Sequence, residues 1–111
     1  MSNQAARLKI LFDHGTPAPL RHALADHVVA TAYEMGWSEI DNGSLLAAAE
    51  NDFDVLITTD QSMRHQQNTA GRRLAILVLP TTNWRQIQNH QTKILDAADR
   101  IRPGDIVELQ F

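Results

Sequence analysis

Apolar positions fall along the chain in short blocks, each closed by polar residues, glycine or proline. The first block, "LKILF" (8–12), is broken only by Lys9 and predicts a strand. "PLRHALADH" follows and predicts a short helix, with Pro19 in a first turn where a missing N–H does no harm. "HVVATA" (27–32) is β-branched and predicts a second strand. A polar crossover, "YEMGWSEIDNGS", leads into "SLLAAAEND" (44–52), an alanine- and leucine-rich helix with Asn42 or Ser44 as its N-cap. "DVLITTD" (54–60) predicts a buried strand, and "QSMRHQQNTAG" a short helix stopped by Gly71. "LAILVL" (74–79) lacks alternation, the mark of a central strand covered on both faces. "NWRQIQNHQTKILDAADRI" (83–101) predicts the longest helix, capped by Asn83, with Trp84, Ile87, Ile94, Leu95 and Ala98 near one stripe. After the turn "RPGD", "IVELQF" (106–111) alternates as a final edge strand.

Strands alternating with helices predict an α/β fold, a three-layer α/β/α arrangement around a mainly parallel sheet. The 111 residues make one domain, 1–111, with residues 1–6 frayed. In such sheets ligands bind beyond the carboxyl ends of the strands. Asp13 and Asp60 each close a predicted strand at that end, which makes them the leading candidate site residues.

An acid at the end of a buried strand costs desolvation unless something compensates. Two acids at one rim also repel, so a cation, an arginine or a proton is expected between them. Mg²⁺ and Mn²⁺ prefer oxygen ligands, and Mg²⁺ often takes only one or two protein carboxylates plus water and substrate phosphate. Glu34 and the Glu39/Asp41 pair lie in the crossover after the second strand, within reach of that rim if the strand neighbours the first. Structural explanations stand beside this one. Asp13 suits an Asx-type turn into Pro17, and Asp60 suits the N-cap of the next helix. Asp52 and Asp54 flank a strand entrance at the opposite rim and are expected as surface charges.

The segments "ILFDHGTPAPLRHAL", "TAYEMGWSEIDNGSLLAAAE" and "DVLITTDQSM" resemble the small stand-alone PIN-like domains, a bacterial branch of the PIN nuclease superfamily. The resemblance covers roughly residues 8–80. It rests on the order of strand-Asp, Pro-rich helix start, E-x-G loop, helix and T-x-D strand end. It implies a metal-dependent ribonuclease, the toxin of a toxin–antitoxin pair, that cleaves RNA with water activated by Mg²⁺ or Mn²⁺. It also implies a cognate antitoxin and a homodimer as partners. On this resemblance Asp13, Glu34 and Asp60 are catalytic and metal-binding. Two positions depart from the pattern, because Asn42 and Ser62 stand where the branch has acids. Asn42 would then serve as a neutral ligand, and cation affinity should be lower.

Composition narrows the alternatives. The chain has no cysteine, which removes disulfides, thiolate metal sites and thiol catalysis and fits a reducing cytoplasm. A formal net charge of −3 gives no bulk attraction to nucleic acid, so any RNA contact needs local basic groups or a metal. No apolar run is long enough to span a membrane. The five histidines show no i, i+4 pairing, which argues against a histidine–zinc site. His14 adjoins Asp13 and could orient phosphate or carry a proton, though a turn histidine is the commoner explanation of such a residue. Arg64, Arg72 and Arg73, with Gln66, Gln67 and Asn68, form the segment best suited to a phosphate backbone, Arg64 being the expected contact. Trp37 is expected as a packed loop anchor. No nucleophile elbow, P-loop or dinucleotide glycine pattern is present. A phosphoacceptor receiver domain also places acids at strand ends, but Pro80-Thr81-Thr82 stands where its lysine would be. The rival to the nuclease reading is a binding module on the same scaffold, with a depleted acidic pocket, acting through a protein partner or a dimer contact.

Overall fold

Five of the apolar blocks become five parallel strands. The computed structural model describes residues 7–65 and 71–111. The strands are β1 (Lys9–Phe12), β2 (Val28–Thr31), β3 (Val55–Thr58), β4 (Ala75–Val78) and β5 (Ile106–Glu108). They form one sheet in the order β2-β1-β3-β4-β5, every neighbouring pair parallel. The helices are α1 (Asn42–Asp52), α2 (Trp84–Asn89) and α3 (Gln91–Arg100), with 3-10 segments at Ala18–Leu24 and Gln61–His65. The α/β class and the parallel sheet follow the sequence pattern, and β5 lies at an edge as its alternation predicts.

Side chains alternate between the two faces of a strand, and both faces here are apolar and covered. Ile10, Phe12, Val55, Ile57, Ala75 and Leu77 pack with Leu20, Leu24, Ile87, Ile94 and Ala98. Leu11, Leu56, Ile76 and Val78 pack with Leu45, Leu46, Ala49 and Met63. The interior strands β3 and β4 are buried at every position, which is why their sequences read as unbroken apolar runs. Among the described residues no helix is long and apolar enough to cross a membrane.

The structure corrects several local expectations. The segment 83–101 is two helices, broken at His90 (φ −122°, ψ 24°). His90 donates its backbone N–H to Ile87 O at 3.0 Å, and its ring Nδ1 bonds Gln86 O at 2.8 Å. Phe111 stacks on the same ring with centroids 4.3 Å apart. This contact with the end of the chain is invisible to helix periodicity. The helix expected at "PLRHALADH" is a 3-10 segment, Ala18–Leu24, with Pro17 at its N-cap and Pro19 in its first turn. The cap of α1 is Asp41, which accepts from Ser44 N at 2.7 Å, in place of Asn42 or Ser44. Asn83 caps α2 as expected, accepting from Gln86 N at 3.0 Å. Strand β3 ends at Thr58, so Asp60 lies two residues beyond it. The expected frayed terminus (1–6) and the later part of the expected helix after Asp60 (66–70) lie outside the described residues.

Candidate functional site at the ends of strands β1 and β3

From β1 the chain passes to β2 on one side and then to β3 on the other, so the strand order reverses between β1 and β3. At such a point the flanking connections diverge and leave a crevice. Asp13 leaves β1 there and Asp60 follows β3. Both line a cleft of about 230 Å³ with His14, Asn42, Thr59 and Trp37. A second cleft of about 590 Å³ shares the Asp13–Gly15 wall and is lined by Arg21, Tyr33 and Glu34. Gly15 fits this wall because a Cβ there would meet Thr59 Oγ1 at 2.7 Å.

Asp13 is 6 % exposed, and its compensation is a pair of hydroxyls. Thr58 Oγ1 donates to Asp13 Oδ2, and the same hydroxyl accepts from Asp60 N at 3.0 Å. Thr16 Oγ1 lies 2.8 Å from Asp13 Oδ1 and 2.9 Å from Ile57 O, two acceptors for its one proton. The turn beyond Asp13 is closed by main chain, Thr16 N donating to Asp13 O at 3.1 Å, rather than by an Asx bond. Thr58 therefore connects the two acids through one buried side chain.

Asp60 does act as a local cap: Oδ1 accepts from Ser62 N at 2.9 Å and Ser62 Oγ at 2.7 Å. Its Oδ2 accepts from Asn42 Nδ2 at 3.0 Å. The Asn42 and Ser62 donors hold the Asp60 carboxyl below its ordinary value despite partial burial, and the nearby charge of His14 acts in the same direction. So His14 stands at the rim, exposed, as its place beside Asp13 suggests.

Glu34 is not brought to the cleft that Asp60 lines. Arg21 donates to it through both terminal nitrogens, at 2.7 and 3.2 Å, and Thr31 N donates at 2.9 Å. The Arg21 bond first, then the Thr31 N–H, lower the Glu34 carboxyl to about 2. Glu34 N returns a bond to Thr31 Oγ1 at 3.1 Å. That reciprocal pair has the hydrogen-bond pattern of a capping box, here closing the turn after β2, and its T-x-x-E spacing stands in the sequence as "TAYE". Among the described residues, no group of three or more histidine or acidic side chains is arranged to hold a metal ion.

The basic segment also departs from expectation. Arg64 lines neither cleft: it donates to Glu108 on the edge strand β5 and to His65 Nε2 at 2.9 Å. Arg73 pairs with Asp54 at 3.0 Å, at the opposite end of β3 from Asp60. Trp37 is an anchor, packed edge-on against Phe53 with centroids 6.1 Å apart. Sequence reasoning gives no role to Thr16 or Arg21; Thr58 opens the T-x-D strand end, yet nothing local ties its hydroxyl to Asp13. Comparison of the chain with protein-family models, curated proteins and solved structures returned no match.

Proposed function

We propose that the chain is a PIN-like, metal-dependent ribonuclease domain acting in the cleft between Asp13 and Asp60. One observation carries the reading: carboxylates following two neighbouring parallel strands line one cleft where the strand order reverses. An ionised carboxylate offers about four lone-pair sites. Asp13 and Asp60 both keep capacity beyond the donors named above, and with the Asn42 amide they make an all-oxygen set suited to Mg²⁺ or Mn²⁺. Glu34 does not fit, because the Arg21 charge on its carboxylate repels a cation. A bound divalent ion supplies an acidified water and neutralises charge developing on a phosphodiester. The chain's own contribution is positional. Thr16 and Thr58 orient Asp13, Ser62 orients Asp60, and His14 at the mouth is available to a phosphate oxygen or a proton. An antitoxin protein and a second copy of the chain are the proposed partners.

The test measures RNA cleavage with Mg²⁺ or Mn²⁺ alongside calorimetric Mn²⁺ titration, for the wild type, Asp13→Asn and Asp60→Asn. Circular dichroism checks each fold. Saturable Mn²⁺ binding and cleavage, both lost in the variants, is the expected result; unchanged cleavage in either variant removes the mechanism.

A second reading is favoured by a specific feature, the donors already occupying Glu34 and Asp60. It makes the chain a binding module with a depleted acidic pocket. It expects no Mn²⁺ binding that depends on Asp13, and retention of a protein partner by Asp13→Asn.

A further inference from the structure

Asn42 is the first residue of α1, half-buried, and followed by Gly43. An asparagine before glycine is prone to ring closure, because no side chain crowds the attacking backbone nitrogen. Inside a helix the reaction is suppressed, since that N–H is tied to a carbonyl four residues back. Gly43 escapes the restraint, because N–H groups of a first turn have no intrahelical partner. Asparagine at the first helical position needs only the end of α1 to open, the least costly local unfolding a helix undergoes.

We propose that Asn42 is a self-modification site whose deamidation places a new carboxylate against Asp60. The Gly43 nitrogen gives its proton to a base and bonds to Asn42 Cγ. The Cγ–Nδ2 bond breaks and the nitrogen leaves as ammonia. Water then opens the cyclic imide to aspartate or isoaspartate. Solvent water is the one co-reactant, and nothing is oxidised or reduced. The consequence is particular to this chain. Asn42 Nδ2 lies 3.0 Å from Asp60 Oδ2, so the reaction exchanges a hydrogen-bond donor for an acid. Two carboxylates that close require a cation or a proton between them. Deamidation therefore converts a satisfied pair into a cation-seeking one, at the cleft that Asp13 also lines. The inference deepens the ribonuclease reading only in taking this cleft as the cation site; the chemistry at Asn42 is independent of RNA cleavage.

The experiment ages the purified chain at mildly alkaline pH and follows each asparagine by peptide mass spectrometry. Fragmentation that separates aspartate from isoaspartate identifies the products. Asn42 is expected to convert several-fold faster than Asn51, Asn83 and Asn89, and Gly43→Ala, which favours the helix, to slow it several-fold. Fresh Asn42→Asp protein, checked for fold by circular dichroism, is titrated with MnCl₂ beside the wild type. Roughly tenfold tighter binding is expected, the worth of one pKa unit from a neighbouring charge. Conversion of Asn42 no faster than the other three, or equal Mn²⁺ affinity in the two proteins, overturns the proposal. Failure of the ribonuclease reading is seen separately, as absence of RNA cleavage by every form.

Discussion

Arg21 grips both carboxylate oxygens of Glu34, at 2.7 and 3.2 Å, and so takes the third candidate acid out of the acidic cleft. The Arg21 bond holds the Glu34 carboxyl at about 2, against an ordinary value of 4.5. A depressed carboxyl adds stability above its unfolded value, and that contribution is lost as pH falls from about 4.5 toward about 2. In Arg21→Met, NMR titration of the Glu34 side chain should find its midpoint returned toward the ordinary value. Glu34→Gln should leave calorimetric Mn²⁺ affinity at the wild-type level, the opposite of Asp60→Asn.

Asn42 and Asp60 make the second testable pair. The amide bond is the largest cause of the lowered Asp60 carboxyl, ahead of Ser62. Asn42→Ala should therefore raise the Asp60 titration midpoint, read from its side-chain carbon shift. The sign is the same as for Glu34. The stability that Asp60 contributes is present above its unfolded value and fades as pH drops through its folded one. The variant should lose that contribution at a higher pH than the wild type.

Thr58 is fully buried and supplies one of the two hydroxyls on Asp13. Thr58→Val keeps the shape but orphans a carboxylate oxygen and the Asp60 N–H. Leaving a buried polar group without a partner costs roughly 1–3 kcal/mol, more for a charged one. Urea unfolding should show that loss, while Thr58→Ser, which keeps the hydroxyl, should lose only about 1 kcal/mol for the missing methyl.

His27 tests the opposite end of the sheet. Its buried ring accepts from Leu8 N at 3.0 Å through Nδ1 and bonds Asp99 Oδ1 at 2.8 Å through Nε2. Since Nδ1 is an acceptor, the proton of the neutral ring is on Nε2. His27→Phe orphans the Leu8 N–H and should cost about 1–3 kcal/mol in unfolding free energy. Mn²⁺ binding should be unchanged, because the contact joins the start of β1 and β2 to α3.

Much of this architecture was legible from local pattern. The apolar run "LAILVL" became a strand buried at every position, and alternation in "IVELQF" marked an edge. The cap at Asn83 was visible from its place before the Trp84 stripe. The break at His90 was not, because it coincides with a contact from Phe111. The site divides in the same way. Asp13 and Asp60 line one cleft, which follows from their positions after two strands that the sheet order makes neighbours. Glu34 does reach the rim, because β2 neighbours β1, but it shares a cleft with Asp13 and not with Asp60, and "TAYE" carries the spacing that ties it to Thr31.

By itself the sequence determined the alternation of strands and helices, the parallel class of the sheet and the end of it where acids collect. Those properties depend on residue periods of a few positions, which neighbouring residues impose on one another. Only the tertiary structure decided what each acid touches. Thr58 meets Asp13 from 45 residues away, Asn42 meets Asp60 from 18, and Arg21 meets Glu34 across the β2 connection from 13. Such partners are set by the order of strands in the sheet and the directions of their side chains, which local spacing does not encode.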